Sequence, residues 1–299
     1  MKKSLQKITL LASAKLNLSL DITGVRQSDG YHLMDMINRS VDLCDEISIE
    51  TFSDGEFEIN TNSKFLPRNE KNLAYKAAAA LCEHCKIKIP PMTVSISKRI
   101  PTKAGLGGGS ADAAAVLVGL NELIGLGMTT EQLCSVGEKI GADVPFCIVG
   151  GAARVTGIGE IIEPIDDICS YKLVIVMPRI GRSTRDAFAE YNSGKLLVHP
   201  DTAAAVAALE RGDINKLAES ICNVFEQLQC DETTQSIVSF LINNKALAAS
   251  LTGSGAAVFG LFSDYGTAND CKLKMIADGM RAYVAKPCRC GVQIISRKS

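Results

Sequence analysis

Four glycines, Gly105, Gly107, Gly108 and Gly109, stand directly before a helical pattern and constrain this chain more than any other feature. After Asp112 the apolar residues Ala113, Val116, Leu117, Leu120, Leu123 and Ile124 recur at the spacing that buries one helical stripe. Ser110 therefore lies near a helix start. Glycines let the backbone take positive φ and approach a ligand closely, and the unpaired amides of a helix N-terminus offer donors and partial positive charge. A phosphate suits both features, although a tight turn alone would use the same residues. The loop is not a P-loop, because Ser110 follows Gly109 with no lysine between, and neither glycine register supplies the third glycine of a dinucleotide or protein-kinase loop.

A chain of 299 residues with 46% hydrophobic content can bury one large core or two ordinary ones. Its formal net charge of −1 supplies no field to gather nucleic acid or an anionic membrane, so anion binding has to be local. No apolar run is long enough to span a bilayer, and Met1 to Leu11 is too polar and short for a secretory signal, so a cytoplasmic protein is expected. Eleven cysteines, an odd number scattered through apolar patterns, fit reduced thiols better than a disulfide framework. Cys82 and Cys85, with His84 between them and Cys288 and Cys290 far downstream, outline a zinc set on paper; the first pair reads instead as helix packing.

Leu16, Leu18, Leu20 and Ile22 alternate with Asn17, Ser19, Asp21 and Thr23, a strand with one buried face whose polar side carries Lys15 and Asn17. Alternation returns at Glu46 to Phe52, Glu56 to Asn60 and Thr93 to Lys98, with a helix from about Asn72 to Cys85. Thr129 and Gln132 form a capping box. Beyond Pro164 come a strand at Lys172 to Met177, helices near Asp201 to Arg211, Asp213 to Leu228 and Thr234 to Lys245, and a strand, glycine loop and strand across Leu251 to Phe262. A helix from about Thr267 and a strand near Val292 to Ser296 follow. The fold class expected is α+β, in two parts, 1–164 and 165–299.

Five short motifs follow one another in order: Ala14-Lys15-Leu16-Asn17-Leu18, Gly30-Tyr31-His32, the Gly105 to Ser110 loop, Gly141-Ala142-Asp143-Val144-Pro145 and Thr252-Gly253-Ser254-Gly255. Over about Lys15 to Phe262 that order resembles the GHMP kinase superfamily, the galactokinase, homoserine, mevalonate and phosphomevalonate kinases and their relatives. The resemblance implies a two-lobed fold, an N-terminal ATP-binding lobe like ribosomal protein S5 domain 2 and a ferredoxin-like C-terminal lobe, with the site in the cleft. The first, second and fourth motifs together resemble the branch that transfers the ATP γ-phosphoryl group to the 2-hydroxyl of a cytidine diphosphate methylerythritol. A homoserine- or mevalonate-type kinase and a catalytically silent nucleotide-binding protein are the alternatives. Gly30-Tyr31-His32 with Phe188 argues against the first, and intact Lys15 and Asp143 against the second.

By resemblance Lys15 and Asp143 are catalytic, orienting the hydroxyl, accepting its proton and neutralising developing charge. ATP would lie on Pro101, Thr102, Lys103, Ala104, Gly105, Leu106, Gly107, Gly108, Gly109, Ser110 and Ala111, with Asn72 and Leu73 at the adenine. Phosphoryl transfer calls for Mg2+ across the phosphates, with Ser110 and Asp112 as candidate ligands. Tyr31 would stack on cytosine with Phe188 on the opposite face, and His32 would hydrogen-bond the base. Thr184 and Asn17 would contact the diphosphate-sugar portion, and Gly253, Ser254 and Gly255 would close the site. The expected partners are these small molecules alone, acting on a monomer or weak homodimer. Two departures stand out: Thr102, Lys103 and Ala104 replace the family's Met-Gly-Gly, and Ser13 replaces a proline. An alanine at 104 would strain the loop if that position needed positive φ.

Overall fold

The computed structural model describes residues 4–178, 184–191, 198–228 and 232–298. Its strands are β1 (Ser4–Val25), β2 (His32–Phe52), β3 (Phe57–Thr61), β4 (Met92–Ser97), β5 (Ala152–Gly157), β6 (Ile161–Ile165), β7 (Lys172–Met177), β8 (Cys222–Asn223), β9 (Ala248–Leu251), β10 (Val258–Phe262), β11 (Arg281–Ala285) and β12 (Val292–Lys298). The helices are α1 (Leu73–His84), α2 (Gly108–Leu123), α3 (Thr130–Glu138), α4 (Val144–Val149), α5 (Thr184–Tyr191), α6 (Thr202–Arg211), α7 (Ile214–Ser220), α8 (Val224–Leu228), α9 (Glu232–Asn243) and α10 (Tyr265–Ala277).

β1 organises both halves. It pairs antiparallel with β2 along almost its whole length, with β12 on its other edge early on and β8 later. Register shifts at Ser13/Ala14, Asn17/Ser19 and Ile22/Gly24 bend it. The bend lets Ile8 to Leu18 feed the core under α1 and α2, while Leu20 and Ile22 feed a second core with Phe225, Val258 and Phe262. The alternation in the sequence is real, but its polar side is not solvated: Lys15, Asn17, Ser19 and Asp21 are all buried. β8 pairs beside Ser19 and Leu20, and Thr252 Oγ1 accepts from Asn17 N at 3.0 Å, so the later part of the chain closes on this stretch of β1.

The first sheet runs β12-β1-β2-β4-β3, with β5 and β6 continuing from β2, and the second, ferredoxin-like sheet runs β11-β7-β10-β9. Because β12 returns to β1, the last strand of the chain belongs to the first sheet. The division near residue 165 thus stands as a proposal for the chain between the sheets. The capping box read from sequence is in place, Thr129 with Gln132 opening α3, and the Asn72 side chain caps α1 by accepting from Ala74 N at 2.9 Å. The helix expected over Asp213 to Leu228 is instead α7 and α8 separated by β8. Asn223 causes the break. Its Oδ1 accepts from Phe225 N at 2.9 Å, while its Nδ2 donates to the carbonyls of Leu251 and Gly253, each at 2.9 Å.

Candidate active site

The glycine loop is held from behind by the second glycine loop. Gly105 has φ +75°, and a Cβ there would lie 2.3 Å from Thr252 O; Ala257 N donates to Ala104 O at 3.2 Å. Alanine at 105 meets both left-handed strain and a backbone clash, so Gly105→Ala should cost roughly 2 kcal/mol of stability and weaken ATP binding. Urea unfolding and an ATP titration check this. Gly107, φ +65°, is the N-cap of α2, which has no side-chain cap and no acidic residue in its first turn. The first amide bonded into the helix is that of Ala111, which donates to Gly107 O at 2.9 Å. The amides of residues 108 to 110 therefore face the loop with no side-chain acceptor from the cap, the arrangement that receives an anion.

The departure at 102–104 lands differently from the expectation. Ala104 does not take positive φ; its methyl is buried in the core, and the positive φ of +56° falls on exposed Lys103. Any backbone strain therefore sits at a position that still offers a cation to solvent beside the glycine loop.

Two cavities meet at this loop. One, of about 320 Å³, is lined by Leu66, Leu73, Lys98 and residues 101 to 110. The other, of about 540 Å³, is lined by Lys15, Asp143, Tyr31, His32, Phe188, Gly253 and Ser254 among others. Gly105, Gly107 and Ser110 line both. Leu73 thus faces the first cavity, whereas Asn72 is buried and spends its amide on α1 and on Pro67 O, to which Nδ2 donates at 2.7 Å.

Lys15 and Asp143, far apart in sequence, converge. Lys15 Nζ lies 3.4 Å from Asp143 Oδ1 and donates to Asn17 Oδ1 at 2.9 Å, while Lys15 N donates to Leu106 O at 3.0 Å. Asp143 stands at the N-cap of α4 yet makes no side-chain cap bond, so its carboxylate is left to the cleft and to Lys15. Asn17 lies beneath the cleft instead of in it: Nδ2 donates to Asn38 Oδ1 at 2.6 Å, and its backbone N donates to Thr252 Oγ1 at 3.0 Å. It aims the ammonium and holds the Thr252 end of the second glycine loop. Gly255 is also outside the cleft lining, and the Thr184 side chain lies outside the described residues.

At the far end, exposed Tyr31 and half-buried Phe188 line the same cleft. Phe188 lies against His32, ring centroids 4.7 Å apart at 31°, and edge-on to Phe225 at 5.0 Å. Sequence reasoning missed Phe225, Met34 and Met36 in this wall and Asn38 and Asn223 behind it, and it gave no role to Ile158 or Thr252, each within a glycine motif. Met34 and Met36 left an alternating signal, whereas Asn223 was hidden inside a helical pattern.

Beneath the loop, Lys98 Nζ donates to Asp45 Oδ2, to Asp112 Oδ2 at 2.9 Å and to Gly108 O at 3.2 Å. Burial lifts the Asp112 carboxyl well above its usual range, Lys98 opposes this and Asp45 adds to it. Burial also works against the Lys98 ammonium, but Asp112 and Asp45 hold its pKa above the ordinary lysine value. Asp112 lines neither cavity and serves the loop's foundation, whereas Ser110 faces both cavities. Among the described residues no group of three or more His, Cys, Asp or Glu side chains is arranged to hold a metal, and no helix is long and apolar enough to cross a membrane. Cys82 is buried and Cys85 donates to Met128 Sδ at 3.6 Å.

Residues 72–151 match the family profile described as GHMP kinases N terminal domain, and residues 205–281 the one described as GHMP kinases C terminal. A 4-diphosphocytidyl-2-C-methyl-D-erythritol kinase of Alkaliphilus metalliredigens is 41% identical over 88% of this chain and 91% of its own. The enzyme of the same description from Alkaliphilus oremlandii is 38% identical over 97% and 100%. A solved 4-(cytidine 5'-diphospho)-2C-methyl-D-erythritol kinase superposes with TM-score 0.79 at 27% identity, covering 94% of this chain and 99% of that one. A homoserine kinase from Cytophaga hutchinsonii, at 20% identity and TM-score 0.76 over 97% of each chain, shares the fold.

Proposed function

This chain belongs to the GHMP kinase family, and we propose that its site transfers the γ-phosphoryl group of ATP to the 2-hydroxyl of 4-diphosphocytidyl-2-C-methyl-D-erythritol, in the non-mevalonate route to isoprenoid precursors. The observation that carries this is the loop shared by two cavities, with Lys15 and Asp143 on one side of it. A nucleotide seated over Leu73 with its phosphates on the amides of residues 108 to 110 would present its terminal phosphoryl at Gly107 and Ser110. A hydroxyl in the larger cavity would meet it beside Asp143.

The protein's share of the reaction is positioning and charge. Asp143 takes or orients the hydroxyl proton as the new O–P bond forms and ADP leaves. Lys15, fixed by Asn17, neutralises charge on the transferring oxygens and keeps the carboxylate in place. Magnesium fits a site whose protein donors are few, since that ion keeps water and phosphate oxygens as ligands, and the Ser110 hydroxyl is the donor at the mouth of both cavities. When bound it supplies charge neutralisation across the phosphates. Tyr31, His32 and Phe188 form the cytosine end. A cytoplasmic setting and a monomer or weak homodimer belong to the same proposal.

An ADP-release assay with the cytidine substrate, homoserine and mevalonate should give turnover on the first alone. Turnover only on another acceptor would reassign the substrate, and none on any would support a silent nucleotide-binding protein. Tyr31→Ala should raise KM for the cytidine substrate roughly tenfold with kcat little changed, since stacking on one base contributes about 1–3 kcal/mol. An unchanged KM would remove Tyr31 from base recognition.

A further inference from the structure

The turn between β5 and β6, Gly157 to Glu160, touches both ends of the cleft. At its near end, a Cβ on Gly159 would stand 3.2 Å from the Ala142 Cβ, so the turn packs against the residue preceding Asp143. At its far end, Glu160 Oε1 faces Arg26 Nη1 at 3.7 Å across the gap to the β1–β2 hairpin tip. Glu160 also fastens its own turn, because Oε2 accepts from Ile158 N at 2.6 Å, and Ile158 lines the cleft.

Arg26 is the centre of that hairpin tip. Arg26 N donates to Tyr31 O at 2.7 Å, its guanidinium forms a fork with Asp29, and Asp29 Oδ1 accepts from Tyr31 N at 3.2 Å. The guanidinium also lies over the Tyr31 ring, 5.9 Å from its centroid. One face of that exposed ring is therefore backed by a cation, and the Tyr31 residue borders the cleft.

We propose that Glu160 is a positioning residue for base recognition: through Arg26 it holds the Tyr31 ring, on the same turn that packs beside Asp143, so one short segment fixes the base-stacking end of the cleft relative to the reacting end. The inference rests on the cytidine reading of that cleft. Glu160 touches neither substrate; its effect runs through Arg26 and Tyr31.

Calorimetric titration with cytidine diphosphate tests it without relying on turnover. Glu160→Gln keeps an acceptor for Ile158 N and should unfold at the wild-type temperature, yet bind cytidine diphosphate about threefold to fivefold more weakly, the size of an exposed ion pair. Tyr31→Ala should lose roughly tenfold. The double variant should lose no more than Tyr31→Ala alone, because Glu160 acts through that ring. Arg26→Gln, which removes the Asp29 fork and the cation over the ring as well, should lose at least as much as Glu160→Gln, and the affinity for an unhydrolysable ATP mimic should not move in either. Losses that multiply in the double variant, no loss in Glu160→Gln, or an equal loss toward the ATP mimic would overturn the inference while leaving the functional reading intact. A wild-type chain that does not bind cytidine diphosphate would sink the functional reading and this inference with it.

Discussion

Asp143→Asn is expected to lower kcat by about 10²–10⁴-fold while leaving the affinity for ATP within a factor of about two. The amide keeps the size of the carboxylate but can neither accept the hydroxyl proton nor balance the Lys15 ammonium 3.4 Å away. Folding should survive, because Asp143 makes no side-chain cap bond to α4 and its side chain is about one-third exposed (35%). ATP affinity should survive too, since on the proposed reading the phosphates would sit on backbone amides of residues 108 to 110, which belong to another element. Single-turnover kinetics with saturating ATP separate the step from binding. A near-normal rate would take Asp143 out of the mechanism and leave positioning by Lys15 and the loop as the whole of catalysis.

Lys98→Met should destabilise the fold by about 3–5 kcal/mol at neutral pH, the scale for removing the cation from a buried ion cluster. Two buried carboxylates, Asp45 and Asp112, would then face each other without the ammonium that joins them. The carbonyl of Gly108 would lose its partner as well, so KM for ATP should rise with the loosened start of α2. The pH dependence follows from the sign of the Asp112 shift. Its carboxyl is held above the ordinary value in the fold, so the folded state binds the proton more tightly than the unfolded chain. That contribution is harmless below the ordinary carboxylate pKa of about 4 and turns destabilising as pH climbs toward the raised value. Asp112→Asn removes the titration, so its stability relative to wild type should improve as pH rises above about 4. Urea unfolding at several pH values measures both effects. A constant difference between Asp112→Asn and wild type across that range would mean that Asp112 titrates as it does in water.

Much of this was legible where the physics is local. Thr129 and Gln132 cap a helix because side chains of that type reach the first free amides, whatever the rest of the chain does. The glycine loop and the start of α2 were legible for the same reason. The meeting of Lys15 with Asp143 was not, since no periodicity links a strand residue to a helix start 128 positions away; the order of motifs supplied it. The polar face of β1 misled, because alternation reports which side is apolar and not whether the other side meets water. Asn223 misled for a related reason: its flanks carry a helical pattern, and the carbonyls of Leu251 and Gly253 that capture its amide lie nearly thirty residues on. The glycine turn at Gly157 to Glu160 takes its meaning from Arg26 and Ala142, which only the fold brings to it.

The central claim is spatial: one loop hands a phosphoryl group from a nucleotide cavity to an alcohol beside Lys15 and Asp143. A crystal structure with an unhydrolysable ATP mimic and the cytidine diphosphate methylerythritol substrate tests it most directly. The account predicts phosphates on the amides at the start of α2, the 2-hydroxyl in line with the γ-phosphorus and within hydrogen-bond reach of Asp143, and cytosine between Tyr31 and Phe188. A nucleotide seated in the larger cavity, or a 2-hydroxyl remote from both Lys15 and Asp143, would contradict it.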